Sequence, residues 1–252
     1  MFDLTGHVAL ITGGNGGIGL AFGRGLVKAG AAVAIWGRNE DKNAAAVAEL
    51  ESLGGNVRAF VCDVTDEQAI DGAFTATIDA FGKVDSCFAN AGGAGARGML
   101  HETDSDSWQQ VIDMNLNGVV NTYRPVIAHL LERGAPGKLI ATSSIAALMG
   151  TAFQASYATT KAAVVGLARS LAVELGRNGI TSNALLPGYV ESDLTASTPQ
   201  AFKDAAARRA CLGRVGRVED MEGVAVFMAS PTSDFMTGHA LVMDGGHTIH
   251  PM

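Results

Sequence analysis

A chain of 252 residues, 48% of them hydrophobic and 32 of them glycine, is long enough to bury one large α/β core. Its formal charge of −7, with no run of like charges, argues against a nucleic-acid partner. No apolar stretch is long enough to span a bilayer, and three scattered cysteines, Cys62, Cys87 and Cys211, fit reduced thiols in a cytoplasmic protein.

Residues 1–6 have no basic or apolar leader region, so no signal peptide is expected. From there, short apolar runs alternate with longer helical patterns. Strands are expected over 7–12, 32–36, 57–62, 84–89, 138–142, 181–186 and 240–243. Ile18, Phe22, Leu26 and Ala29 follow the first strand at helical spacing. Trp108, Val111, Leu116, Val119, Tyr123, Val126 and Leu130 mark a second helix. Val164, Leu167, Ala168, Leu171 and Leu175 mark a third. Strands alternating with helices imply βαβ units and a parallel sheet with helices on both faces. No linker, low-complexity tract or repeat divides the chain, so 1–252 reads as one domain, with 190–217 as a segment that covers the substrate.

Gly13, Asn15, Gly16, Gly17, Ile18 and Gly19 follow the first strand and open the first helix. Glycines there let the backbone approach a pyrophosphate, and the free N–H groups at the helix start hold its charge. At the tip of the second strand stands Trp36-Gly37-Arg38-Asn39, with no Asp or Glu. A carboxylate there would select the ribose hydroxyl of NAD, whereas the planar fork of Arg38 suits a 2′-phosphate. The reading favours NADP, with NAD as the alternative.

Tyr157 and Lys161 are four residues apart, with Ser144 thirteen residues upstream of the tyrosine. Residues four apart share one face of a helix, so the phenol and the ammonium can share a pocket. A nearby ammonium favours the phenolate, making the pair a candidate acid/base. Ser143 competes for the serine role, but the offset to Tyr157 favours Ser144. His247 and His250 lack a third ligand, so no metal is expected.

Together these motifs resemble the short-chain dehydrogenase/reductase family, in its compact branch, along the whole chain. Asp63-Val64 is similar to the family's adenine contact. Asn90-Ala91-Gly92 is similar to its Asn-Asn-Ala-Gly motif, with Ala89 in place of the first asparagine. Asn115, Ser144, Tyr157 and Lys161 match its catalytic tetrad. Pro187, Gly188 and Val190 match the loop beside the nicotinamide, and Asp244-Gly245-Gly246 its C-terminal signature. The resemblance implies a Rossmann-type, doubly wound sheet of seven parallel strands in the order 3-2-1-4-5-6-7. It also implies hydride transfer between NAD(P) and a ketone or secondary alcohol, with Tyr157 as acid/base. Lys161 would lower the tyrosine pKa and bind the nicotinamide ribose, Ser144 would hold the substrate oxygen, and Asn115 would hold a water for proton relay.

Gly93, Ala94, Ala146, Met149, Phe153, Gln154, Tyr189, Leu194 and Phe202 are expected to line a mostly apolar pocket for neutral ketones or secondary alcohols, cyclic ones included. Family members often pair the tyrosine helix across a two-fold axis, and Ala162, Ala163, Gly166 and Ala168 are small residues on it, so a homotetramer is expected. A catalytically silent nucleotide-binding regulator is the rival reading. Enoyl reduction is disfavoured, because related enoyl reductases space the Tyr and Lys more widely.

Overall fold

Seven parallel strands form the central sheet of the computed structural model, which describes residues 2–95 and 97–249 apart from the side chain of Leu194. They are β1 Val8–Thr12, β2 Ala32–Gly37, β3 Val57–Val61, β4 Ser86–Ala89, β5 Gly137–Thr142, β6 Ile180–Pro187 and β9 Ala240–Met243, in the order β3-β2-β1-β4-β5-β6-β9. Two further strands, β7 Val190–Glu191 and β8 Gly216–Arg217, pair with each other outside the sheet. The expected strand over 84–89 starts later, because the Val84 amide donates to His129 Nε2 at 3.3 Å instead of joining the ladder.

The central strands carry side chains buried on both faces, and helices cover each side. Helices α1 Gly17–Lys28, α2 Glu40–Ser52 and α8 Glu222–Ala229 bury Phe22, Leu26, Leu50, Val224 and Met228 against Ile11, Val33 and Ile35. Helices α3 Glu67–Phe81, α5 Gly118–Arg133 and α6 Ala155–Leu175 contribute Ile70, Val119, Tyr123, Val126, Leu130 and Val164 to a second cluster around Leu10, Cys87 and Leu139.

Side-chain caps start several of these helices. Asn39 accepts from the Lys42 amide and Asp66 from the Gln68 and Ala69 amides. Asp104 accepts from the Ser107 amide at 2.7 Å and opens α4 Ser105–Ile112. Between α4 and α5 the helix widens into a π turn, Asp113–Asn117, which brings Asn115 to the interior.

Residues 190–217 hold the short helix α7 Gln200–Arg209 between the paired strands β7 and β8. Among the described residues no helix is long and apolar enough to cross a membrane.

Candidate active site

The polar residues expected to act together gather at the carboxyl ends of β1, β4 and β5. The sheet order turns outward in both directions between β1 and β4, which makes the crevice above them the natural ligand position in an open parallel sheet.

On the nucleotide side, Gly13 takes φ of 63° directly after β1 and donates to the Trp36 carbonyl at 2.7 Å. Gly16 is the N-cap of α1 with no side-chain cap, so the first amides of that helix are not occupied by a protein hydroxyl or carboxylate. A Cβ on Gly19 would collide with the Gly13 carbonyl, so only glycine lets α1 start this close to β1. Ile18 packs on the core beneath, and Asn15 donates to Asn43 Oδ1 at 2.7 Å. These features fit a dinucleotide: a cradle of backbone amides at the positive end of a helix.

Arg38 follows β2 and lies 3.5 Å from Asp63, with its side chain 66% exposed. Burial pushes the Asp63 carboxyl up, but hydrogen bonds from the Thr65 amide and hydroxyl and the Arg38 charge hold it below the usual carboxylate value. Val64 is buried against Gly118. Asn90 spans three strands: Nδ2 donates to the Thr12 carbonyl at 3.2 Å, and Oδ1 accepts from the Thr142 hydroxyl at 3.1 Å. The Thr12 hydroxyl accepts from the Asn90 and Ala91 amides, both at 3.0 Å. Ala89, which replaces the family's asparagine, is simply buried.

Tyr157 lies in the first turn of α6 and Lys161 one turn further on. The Ser144 hydroxyl accepts from the Ala146 amide at 3.1 Å, which holds the serine at the start of a tight turn, close enough to the Tyr157 phenol to lower its pKa. Lys161 is buried and donates to the Thr142 carbonyl at 2.8 Å, with its ammonium 5.7 Å from the Tyr157 ring centre. Ser143 instead donates to the Lys161 carbonyl at 2.7 Å, a backbone contact that leaves Ser144 as the serine beside the phenol.

The expected direction of the Tyr157 shift is corrected. Burial raises its pKa, and the neighbouring Ser144 hydroxyl opposes this without overcoming it. The ammonium that was expected to dominate is itself weakened, because burial lowers Lys161 to about 8.

Asn115 Oδ1 accepts from the Gly93 amide at 2.9 Å, while Nδ2 donates to the Gly93 carbonyl at 2.8 Å and to the Thr160 hydroxyl at 3.3 Å. Thr160 in turn donates to the Tyr157 carbonyl at 2.8 Å. A Cβ on Gly92 would lie 2.8 Å from Asn115 Oδ1 and 3.4 Å from Lys161 Nζ. The chain Gly93–Asn115–Thr160–Tyr157 therefore ties the loop after β4 to the tyrosine helix. Thr160 was not singled out in the sequence, although its place next to Lys161 in the motif was a usable signal.

Pro187 ends β6, Gly188 donates to the Met243 carbonyl at 2.9 Å, and Val190 is buried in β7. Tyr189 and Phe202 pack with their rings tilted by 58° and their centres 5.6 Å apart, and the Arg97 guanidinium lies 6.0 Å from the Phe202 ring. Phe153, Leu148 and Phe202 are exposed. Leu194 was expected in the same lining, but its side chain lies outside the described residues. A cavity of about 410 Å³ lies away from this chemistry, between Thr65, Asp113, Asn117 and Arg124. Among the described residues no three His, Cys, Asp or Glu side chains converge on a metal position, and His250 lies outside them.

On α6, Ala162 and Gly166 are exposed and Ala163 is half-buried, but Ala168 is buried. It packs with Val165 against Ala184 and Leu186 of β6, on the side of the helix that faces the sheet.

A sequence model of the family described as Enoyl-(Acyl carrier protein) reductase matches residues 13–248. The chain is 36% identical over 245 residues to a 3-oxoacyl-(acyl-carrier-protein) reductase of Chlamydia pneumoniae, covering 97% of this chain and 98% of that one. It is also 36% identical, over 242 residues and 96% of each chain, to a cis-4-hydroxycyclohexanecarboxylate dehydrogenase of Sinomonas cyclohexanicum. The crystal structure of a gluconate 5-dehydrogenase from Burkholderia cenocepacia in complex with NADP and tartrate has a TM-score of 0.93 to it at 37% identity, over 98% of this chain and 97% of that one. With this fold, this crevice and these full-length relatives, the chain belongs to the short-chain dehydrogenase/reductase family and is an NAD(P)-dependent oxidoreductase of alcohol and ketone groups.

Proposed function

We propose that the enzyme interconverts a neutral, cyclic ketone and its secondary alcohol, with NADP as the favoured cofactor. The observation that carries this reading is the Ser144 hydroxyl beside the half-buried Tyr157 phenol, one helical turn from the buried Lys161 ammonium. When bound, the cofactor supplies or accepts the hydride. The glycine loop 13–19 and the start of α1 hold the pyrophosphate, Arg38 the 2′-phosphate, and Asp63 and Val64 the adenine. Asn90, Ala91, Gly92, Pro187, Gly188 and Val190 flank the nicotinamide, and Lys161 binds its ribose.

Ser144 donates to the substrate oxygen and steadies the charge that develops there. Tyr157 gives that oxygen its proton in reduction and takes it back in oxidation. Its raised pKa keeps it protonated at neutral pH, the form that reduction needs. Asn115 positions the loop that faces this pair and belongs to the same proton path. The tight Tyr157–Lys161 spacing favours carbonyl over enoyl reduction, despite the description of the matching family.

Apolar Leu148, Phe153 and Phe202 support a neutral substrate, and Arg97 is drawn to the Phe202 ring. The ring in the name of the Sinomonas relative's substrate supports a cyclic one. Residues 190–217, within one domain 1–252, cover this pocket. A homotetramer is inferred from the exposed Ala162, Gly166 and Val173 on α6; a monomer by light scattering at micromolar concentration would count against it. Buried, unpaired Cys62 and Cys87 support a reducing, cytoplasmic location, which cell fractionation would test.

The test is a panel of ketones and alcohols with NADPH and NADH in parallel, followed at the cofactor absorbance. Neutral cyclic ketones should turn over with a higher kcat/KM for NADPH. A higher value with NADH, or turnover restricted to anionic substrates, would sink the reading.

A further inference from the structure

Lys42 and Asp193 are 151 positions apart, yet their charged groups meet at 3.4 Å. Lys42 stands in the first turn of α2, where its amide is the one that Asn39 caps, so it follows Arg38 around the tip of β2. Asp193 comes from the segment after β7. Its Oδ2 lies 3.8 Å from where a side chain on Gly16 would begin, and Ser192 lies 3.4 Å from the same point on Gly17. The Ser192–Asp193 tip therefore rests over the start of α1, whose N-cap offers no side-chain acceptor to its free amides. That is where a helix dipole attracts an anion, and where a dinucleotide places its phosphates.

We propose that Lys42 is a second ligand for the cofactor 2′-phosphate, beside Arg38, and that Asp193 holds it in reserve. The inference rests on the NADP reading above. Gly16 puts no cation in the glycine loop, and Lys42 supplies one from the opposite wall. Its present partner is easily exchanged: the two side chains are 58% and 80% exposed, and ion pairs this open are weak. A phosphate carries more charge and more acceptor oxygens than a carboxylate, and so takes the lysine. The same incoming charge repels Asp193, which lifts the Ser192–Asp193 tip off α1 and clears the phosphate position. Lys42 thus changes partner without being left unpaired, and the covering segment responds to the phosphate that distinguishes NADP from NAD.

The experiment is fluorescence titration of NADPH and NADH onto the enzyme without substrate, so that it reads binding and not turnover. Lys42→Ala should raise the Kd for NADPH about tenfold and leave that for NADH within twofold, and Lys42→Arg should restore most of the loss. Asp193→Asn should lower the Kd for NADPH more than that for NADH, because it removes the carboxylate that competes for Lys42. An equal change for both cofactors in Lys42→Ala, or no change for either, overturns the proposal. If Arg38→Ala abolishes the NADPH preference while Lys42→Ala preserves it, Lys42 is excluded and the NADP reading stands. If the wild type itself binds NADH as tightly as NADPH, both fall together.

Discussion

The side-chain amide of Asn115 matches both backbone polar groups of Gly93, accepting from its N–H at 2.9 Å and donating to its carbonyl at 2.8 Å. This is the pairing a neighbouring strand would make, supplied instead by one residue of a π turn. A leucine there would leave the N–H and C=O of Gly93 without that partner, and an unmet buried polar group costs ~1–3 kcal/mol. At ~2–4 °C per kcal/mol for a chain of this size, Asn115→Leu should lower Tm by several degrees as well as kcat. An unchanged Tm would mean that water takes over both bonds and the clamp is dispensable.

Tyr157→Phe removes the phenolic hydroxyl and little else. A positioned acid/base contributes ~10²–10⁴-fold, so kcat should fall by about that factor. Titration of cofactor fluorescence should give a Kd close to wild type. Retained turnover would remove Tyr157 from the proton step.

Burial of Lys161 gives stability a pH dependence. The ammonium titrates near 10.5 in the unfolded chain and at about 8 in the folded one. Between those values the unfolded state holds a proton that the folded state has lost, so stability rises with pH. Below about 8 the penalty for burying the charge is at its full size. Tyr157 acts in the opposite sense: its raised pKa means that above 10.0 the unfolded chain releases a proton the folded chain keeps, and stability falls. Lys161→Met should therefore exceed wild type in Tm at pH 7, with the gap narrowing from pH 8 towards 10. A gap that does not vary with pH would mean that the charge is not desolvated.

Phe153 has φ of 63°, the only positive value at a non-glycine residue among the described residues. Its carbonyl accepts from the Gly98 amide at 3.1 Å, joining two loops near the tyrosine helix. Holding a bulky residue there costs ~1–3 kcal/mol. The ring is 55% exposed, so little packing offsets that cost. Phe153→Gly should raise Tm and, if the ring meets substrate, raise KM for cyclic ketones with kcat little changed. A lower Tm would show that the ring stabilises the loops after all.

The placement of Tyr157, Lys161, Ser144 and the glycine loop was legible because it depends on short sequence spacing: one helical turn, or a turn between a strand and a helix. The seven strands were legible as apolar runs. What escaped depends on distance in space. The Lys42–Asp193 pair joins residues from α2 and from the segment after β7, and no local pattern announces it. The strands β7 and β8 have two residues each, too short for any periodicity. Ala168 was misplaced because α6 carries small and apolar residues on more than one face, so the pattern alone does not say which face meets the sheet. The Tyr157 shift was misjudged because spacing reports a neighbouring charge but not the depth at which both groups are buried.

The rungs Val190–Gly216 and Glu191–Arg217 fasten the two ends of the intervening segment side by side. Everything from 192 to 215 is therefore an excursion that leaves and returns at one point, like a loop of rope through a clasp. Closing such an excursion costs only about 0.6 kcal/mol more for each doubling of a flexible loop, and its return leg is also tied to the loop after β9, where the Leu212 amide donates to the Gly245 carbonyl at 3.0 Å. Since the proposed role of this excursion is to cover the substrate, exchanging it for a relative's, with the clasp retained, is expected to give this scaffold another substrate. A chimaera that exchanges 194–210 and keeps Asp193 and the Leu212–Gly245 contact should keep a Tm close to the wild type and change which alcohols it oxidises.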